Sequence, residues 1–183
     1  AEIHQLKTEI DCEIETFIFG NHGLMVEGRC SLTNYAVGRS TNMDGACSPA
    51  SEVQYQRTAD GSVTARLGCH VIDCFGPDEQ AGYPTICKGR YYAPVRPDPY
   101  YAFEEPVSLN LMAMLPDLIG AGVDAFKIEG RQRSRAYVGA VVGAFRAAID
   151  GVLAGRAPPA FDLVALTEGQ KQTQGAFATK KWR

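Results

Sequence analysis

Three of the six cysteines lie in settings suited to chemistry rather than to packing. Each is flanked by glycine, serine, proline or a basic residue: Glu27-Gly28-Arg29-Cys30, Gly45-Ala46-Cys47-Ser48-Pro49 and Ile86-Cys87-Lys88-Gly89-Arg90. The thiolate is the form of cysteine that binds metal, and Arg29, Lys88 and Arg90 favour it. The same cations would offset the negative charge of a thiolate-ligated cluster. The gaps between these cysteines are much longer than the CxxC steps of ferredoxins and zinc fingers. Spacing by itself therefore leaves ordinary loop cysteines as the alternative. Cys12 abuts a strand and reads as core. Cys69 and Cys74 fall on a hairpin an odd number of positions apart, on opposite faces of an ideal strand, which disfavours joint action.

A second group follows a short strand at Val123–Ile128. Side chains alternate along a strand, so Phe126 and Ile128 share one face, and Lys127 and Glu129 share the other. In a barrel enzyme the C-terminal strand end is where binding residues concentrate. Arg131, Arg133 and Arg135 come just before a helix N-terminus, a place suited to an anion. Lys127, Glu129 and Arg131 are thus candidate substrate-binding residues. The alternative is an internal Lys127–Glu129 pair beside solvated arginines. Glu104 and Glu105 either orient a base or cap a loop. The three histidines, His4, His22 and His70, form no HExxH helix, and the chain has no GxSxG elbow.

The elements that must position these residues are legible in outline. Glu13–Phe19 reads as a strand ended by Gly20, and a helix is expected from Gly23 to about Tyr35. Residues 37–51 read as a loop. Asp60-Gly61 is a strong hairpin signal between strands at Val53–Arg57 and Val63–Asp73. Residues 76–100 hold half of the ten prolines and read as a long loop, often a functional feature. Ser108 is placed to cap a helix with an apolar stripe of Met112, Leu115 and Ile119, with Pro116 as a kink or restart. Ser134 opens a helix whose Tyr137, Val141, Phe145 and Ile149 lie on one face. This rhythm predicts an α/β fold: the second half of a (β/α) barrel-like domain over 1–165, with an inserted β-hairpin and cysteine-bearing loops. A polar tail covers 166–183.

The 183 residues carry a net charge of −3, with 45% apolar and 21% charged residues. That balance is globular and implies no general field for polyanions. No secretory signal is evident, and the longest apolar runs are broken by Asp117, Asp124, Arg146 and Asp150, so a soluble cytoplasmic protein with no membrane span is expected. The absent initial methionine suggests a fragment lacking an upstream half.

Several blocks carry a family resemblance. Glu15-Thr16-Phe17-Ile18-Phe19-Gly20 followed by Met25-Val26-Glu27-Gly28-Arg29-Cys30-Ser31-Leu32 resembles the collagenase-like peptidase family of unknown catalytic type. Gly82-Tyr83-Pro84-Thr85-Ile86-Cys87-Lys88-Gly89-Arg90, Glu104-Glu105-Pro106-Val107-Ser108-Leu109-Asn110 and Lys127-Ile128-Glu129-Gly130-Arg131-Gln132-Arg133-Ser134 are similar to its UbiU-like branch. That resemblance covers about residues 11–150. It implies a [4Fe–4S] cluster, a UbiV-like partner in a heterodimer, and a part in oxygen-independent hydroxylation of a ubiquinone precursor. Three cluster cysteines of the pattern fall on Cys30, Cys47 and Cys87. The fourth falls on Gly23, which leaves three-cysteine ligation, a [3Fe–4S] form, or His22 as the substitute ligand, with Cys12, Cys69 and Cys74 behind it. The family name makes peptidase activity one alternative. Relatives that hydroxylate RNA bases make an RNA-modification factor the other, although the acidic balance argues against nucleic-acid binding.

Overall fold

The computed structural model describes residues 2–21, 30–131, 133–157, 161–167 and 171–178. In chain order its elements are α1 (Glu2–Glu9), β1 (Glu15–Asn21), α2 (Ser31–Val37), α3 (Thr41–Asp44), β2 (Val53–Arg57), β3 (Val63–Leu67), β4 (His70–Phe75), β5 (Arg90–Tyr91), β6 (Tyr100–Tyr101), β7 (Ser108–Asn110), α4 (Leu115–Gly120), β8 (Ala125–Ile128), α5 (Arg135–Leu153) and β9 (Gln172–Thr173). The fold is mixed α/β. It forms two compact units, Ala1–His22 with Val107–Arg183, and Gly23–Pro106. The cysteine-bearing loops and the hairpin thus make a unit of their own, where the sequence reading has one body over 1–165.

The first unit is built on a four-stranded sheet in the order β8-β1-β7-β9. β8 runs parallel to β1, with Glu15 opposite Ala125 and Phe17 opposite Lys127. This is the pairing that the strand–helix rhythm predicts. β7 runs antiparallel to β1, with Phe19 opposite Asn110. The described sheet is therefore mixed rather than all-parallel, with β8 and β9 at its edges. β9 falls in the polar tail and pairs in parallel with β7, so part of that tail is an edge strand.

Burial follows the apolar pattern. Ile18 and Phe19 of β1, Leu109 and Leu111, Leu115 and Leu118 of α4, and Val141, Ala144, Phe145 and Ala148 of α5 form one core. Phe19 packs on Phe145 with ring centroids 5.6 Å apart and on Tyr137 at 6.5 Å. α5 begins as its sequence directs: Ser134 is the N-cap, and its Oγ accepts from the Tyr137 amide at 3.1 Å. By length and apolarity α5 alone among the described helices is able to cross a membrane, contrary to the expectation that no run is long enough. Its Val141–Ala148 stripe is nonetheless buried in this core, as in the core helix of a globular unit.

Three local expectations change. Ser108 is not a helix cap; it lies on β7 and is buried. Asn110 makes the turn instead, its Oδ1 accepting from the Met112 amide at 3.0 Å. α4 then starts at Leu115, with Pro116 in the first turn, where a missing N–H costs no helix bond. Residues 2–9 form a helix that the sequence reading passed over. Lys7 Nζ reaches Asp124 at 2.6 Å and the Cys12 carbonyl at 2.9 Å, and Asp124 also accepts from the Ile14 amide at 2.8 Å.

The second unit has a three-stranded antiparallel sheet, β2-β3-β4. Asp60 and Gly61 make the expected turn: Asp60 accepts from the Ser62 amide at 3.1 Å, and Gly61 has φ +90°. The long strand expected over Val63–Asp73 is divided by a second turn, in which Gly68 takes φ +57°. Cys69 consequently lies in that turn, and only Cys74 of the pair is on a strand. Val63, Ala65 and Leu67 of β3 are buried in alternation with Thr64 and Arg66, as one covered sheet face requires. The helix expected from Gly23 to Tyr35 appears as α2, ending at Gly38 with φ +69°; residues 22–29 lie outside the described residues.

Two outcomes follow. Asp124 is held below the usual carboxylate range, first by the Lys7 hydrogen bond and then by the Ile14 amide, and the same contact holds Lys7 above its ordinary value. A depressed acid stabilises the fold above its unfolded pKa and loses that contribution as pH falls through the folded value; a raised base does the reverse at high pH. Protection of the α1 amides, taken relative to the unfolded chain at the same pH, should thus be greatest between about pH 4 and about pH 10, and Asp124→Asn should lower it throughout that window. Gly20→Ala should destabilise by roughly 2 kcal/mol or more, because Gly20 has φ +135° and an added Cβ would lie 2.4 Å from the Glu129 Cβ. A lowered thermal midpoint would register it, with Gly45→Ala as a milder control that meets nothing within 4 Å.

Candidate functional site

Cys30, Cys47 and Cys87 all belong to the second unit. Cys30 precedes α2, and its Sγ donates to Thr33 Oγ1 at 3.3 Å. α2 packs against the 3-10 turn Ile86–Lys88 that carries Cys87. The Cys47 loop is tied to the same region by Tyr83, whose hydroxyl donates to the Ser48 carbonyl at 2.8 Å. Three segments distant in sequence therefore meet around one turn. Cys87 is buried, Cys30 and Cys47 are partly exposed, and all three thiols are free of disulfides.

The donor chemistry suits an iron–sulfur cluster, which is held by cysteine thiolates. The described side chains do not close a cage, however: no three His, Cys, Asp or Glu among them gather closely enough to hold a metal ion. His22 and Gly23, where the sequence reading seeks the fourth ligand, lie outside the described residues. Cys12 belongs to the first unit and is exposed rather than core, and Cys69 and Cys74 are exposed.

Of the cations expected to favour the thiolates, Arg29 lies outside the described residues, and Lys88 and Arg90 bond to carboxylates. Arg90 bonds Asp73 through Nε at 2.7 Å and Glu79 through Nη1 at 2.9 Å. Its guanidinium also lies 5.3 Å from the Phe75 ring. Burial works against its charge, but the bonds to Glu79 and Asp73 outweigh that and hold its pKa well above the ordinary value. Burial lifts the Asp73 carboxyl, with Arg90 pulling the other way. Lys88, next to Cys87, is buried, with only 5% of its side chain exposed. Its ammonium faces Glu104 Oε2 at 3.4 Å and donates to the Glu105 carbonyl at 3.2 Å. The Glu104 amide in turn donates to the Cys87 carbonyl at 3.1 Å. Glu104 is thus the counter-charge to a buried lysine and a backbone clamp on the cysteine turn. The adjacent acids were visible in the sequence, but nothing local pointed to Lys88 as their partner. Tyr91 completes the anchor: its hydroxyl donates to the Ile86 carbonyl at 2.6 Å. Burial, with Cys87 and Asp73 nearby, pushes its pKa up to about 12.

In the first unit, Lys127 and Glu129 do not pair with each other. Lys127 is exposed and bonds Glu15 on the neighbouring strand at 2.9 Å, with its ammonium 5.3 Å from the Phe17 ring. Parallel register explains this, because Phe17 and Lys127 are opposite one another. Glu129 sits just beyond β8, over Gly20, and accepts from the Arg131 amide at 2.8 Å. Arg131 and Glu129 are therefore neighbours, while Lys127 belongs to a different contact. Arg133 lies 5.1 Å from the Tyr137 ring.

Glu104→Gln should lower stability by roughly 2 kcal/mol, because it leaves the Lys88 ammonium buried with a weaker partner. The loss stays below that for a fully enclosed pair, since 25% of the Glu104 side chain is exposed. A Lys88→Met, Glu104→Leu double variant should recover part of it, because no buried charge then remains. Urea midpoints of the parent, single and double variants check both statements.

A protein of Bacillus subtilis (strain 168) named tRNA hydroxylation protein P1 is 29% identical over 153 residues, which is 84% of this chain and 30% of that protein. The 23S rRNA 5-hydroxycytidine C2501 synthase of Escherichia coli (strain K12) is 26% identical over 180 residues, 98% of this chain and 22% of that protein. An uncharacterized protease of Methanocaldococcus jannaschii is 28% identical over 149 residues, 81% of this chain and 29% of that protein. The chain spans less than a third of the length of each of these relatives. No solved structure matches it significantly. The model of peptidase family U32 matches residues 1–180, and the chain belongs to that family.

Proposed function

We propose that this chain serves the hydroxylation of an RNA base, with Cys30, Cys47 and Cys87 as ligands of an iron–sulfur cluster. The observation that carries the reading is the likeness to two proteins named for RNA hydroxylation, one of them across 98% of the chain. A match of that reach spans both units. Converting a ring C–H to C–OH is a two-electron oxidation, so it needs an electron acceptor and a source of oxygen. A bound iron–sulfur cluster supplies electron transfer. The chain's own part is to bring three cysteine segments to one turn and to fix that turn by Lys88, Glu104 and Tyr91.

Hydroxylation of a ubiquinone precursor with a UbiV-like partner is the second reading. It is favoured by the Gly82–Arg90, Glu104–Asn110 and Lys127–Ser134 blocks rather than by the relatives' names. Peptidase activity is supported by the family name alone; the Cys30–His22 pair it could draw on involves His22, which lies outside the described residues.

Deleting the gene should remove a hydroxylated nucleoside from total RNA, as read by mass spectrometry of digested RNA. The parent protein should restore it, and Cys47→Ser or Cys87→Ser should not. Protein purified without oxygen should contain iron and acid-labile sulfide, and either substitution should deplete both. An unchanged nucleoside profile together with loss of ubiquinone only in anaerobic growth would transfer the assignment to the quinone ring.

A further inference from the structure

We infer that the hairpin of β5 and β6 is a stacking platform for single-stranded RNA, an inference that rests on the RNA reading above and adds the surface that would grip the strand. The hairpin carries aromatic and cationic groups at its exposed tip rather than in a core. Tyr92 is 74% exposed and Val95 88% exposed. The Arg96 guanidinium lies over the Tyr100 ring at 4.3 Å, and among the described residues it has no carboxylate partner. Flat rings and a guanidinium plane are the groups on which unpaired bases stack, independently of sequence.

The tip is held ready. Pro94, Pro97 and Pro99 restrict its backbone, which lowers the entropy lost on binding. The Arg96 amide closes a turn on the Ala93 carbonyl at 3.0 Å. At the foot, Arg90 pairs with Tyr101 and Tyr91 with Tyr100. Tyr91 meets Phe103 edge-on at 6.1 Å and, through its bond to the Ile86 carbonyl, joins the hairpin to the turn that bears Cys87. A strand stacked on this tip would therefore be carried by a hairpin that is bonded to the cysteine turn. Asp98 balances Arg96 in charge, so the platform offers stacking rather than a basic field. That suits an unpaired strand better than a duplex, whose bases are already stacked.

The test is fluorescence anisotropy of the full protein with a short labelled single-stranded oligocytidine RNA and with the corresponding duplex. The single strand should bind and the duplex should bind less tightly. Tyr92→Ala and Arg96→Ala should each weaken single-strand binding about ten-fold, and Tyr92→Phe should preserve it. Tyr35→Ala, which removes another exposed ring of the same unit, should leave affinity unchanged. All these residues are exposed, so equal thermal midpoints would establish that the variants fold. Binding by Tyr92→Ala and Arg96→Ala at parental affinity would overturn the platform, as would no single-strand binding by the parent. A change in oligomeric mass on Tyr92→Ala, without a change in RNA affinity, would overturn it in favour of a protein contact. RNA bound through the hairpin with an unaltered nucleoside profile on gene deletion would instead remove the hydroxylation reading and leave the platform standing.

Discussion

A buried ammonium has to be answered. Lys88 follows Cys87 directly in sequence and is enclosed by protein, so a carboxylate must come to it, and Glu104 does. The backbone then follows: the Glu104 amide bonds the Cys87 carbonyl, and the Glu105 carbonyl accepts from Lys88. This one demand turns a proline-rich stretch with little regular structure into a closed loop whose two ends are clamped together. The neighbouring charge centre works by the same logic. Arg90 is satisfied by Asp73 of β4 and by Glu79, which ties the cysteine turn to the three-stranded sheet.

The other unit depends on apolar burial rather than on a buried charge. Phe19 sits between Tyr137 and Phe145 of α5, so the central strand and the long helix are fixed against one another by ring contacts. Immediately after Phe19, Gly20 permits the close approach of Glu129, which holds the segment leading from β8 toward α5. The candidate polar residues of this unit are consequently divided. Glu129 and Arg131 form one contact at the strand end, and Lys127 joins Glu15 and Phe17 on an exposed sheet face.

For function, the arrangement matters more than the inventory. The three segments that carry Cys30, Cys47 and Cys87 are neighbours because α2 packs on the Cys87 turn and Tyr83 reaches the Cys47 loop. The hairpin bearing Tyr92 and Arg96 grows out of that same turn. The Cys87 turn and the exposed Tyr92 and Arg96 are thus adjacent features of one unit.

The sequence by itself determined what local chemistry determines. The Ser134 cap and four-residue apolar stripe specify α5, Asp60-Gly61 specifies its turn, and the blocks around Cys30 and Cys87 identify the family. Tertiary structure decided what depends on partners distant along the chain. Ser108 reads as a cap from its neighbours but becomes a buried strand residue because β1 is there to pair with it. Residues 2–9 become a helix packed on Gly122 because Lys7 finds Asp124, more than half the chain away. Lys127 and Glu129 alternate as a strand requires, yet a parallel neighbour offers Lys127 a nearer carboxylate than Glu129. Alternation tells which face a side chain takes; only the pairing of strands and loops tells what charge meets it there.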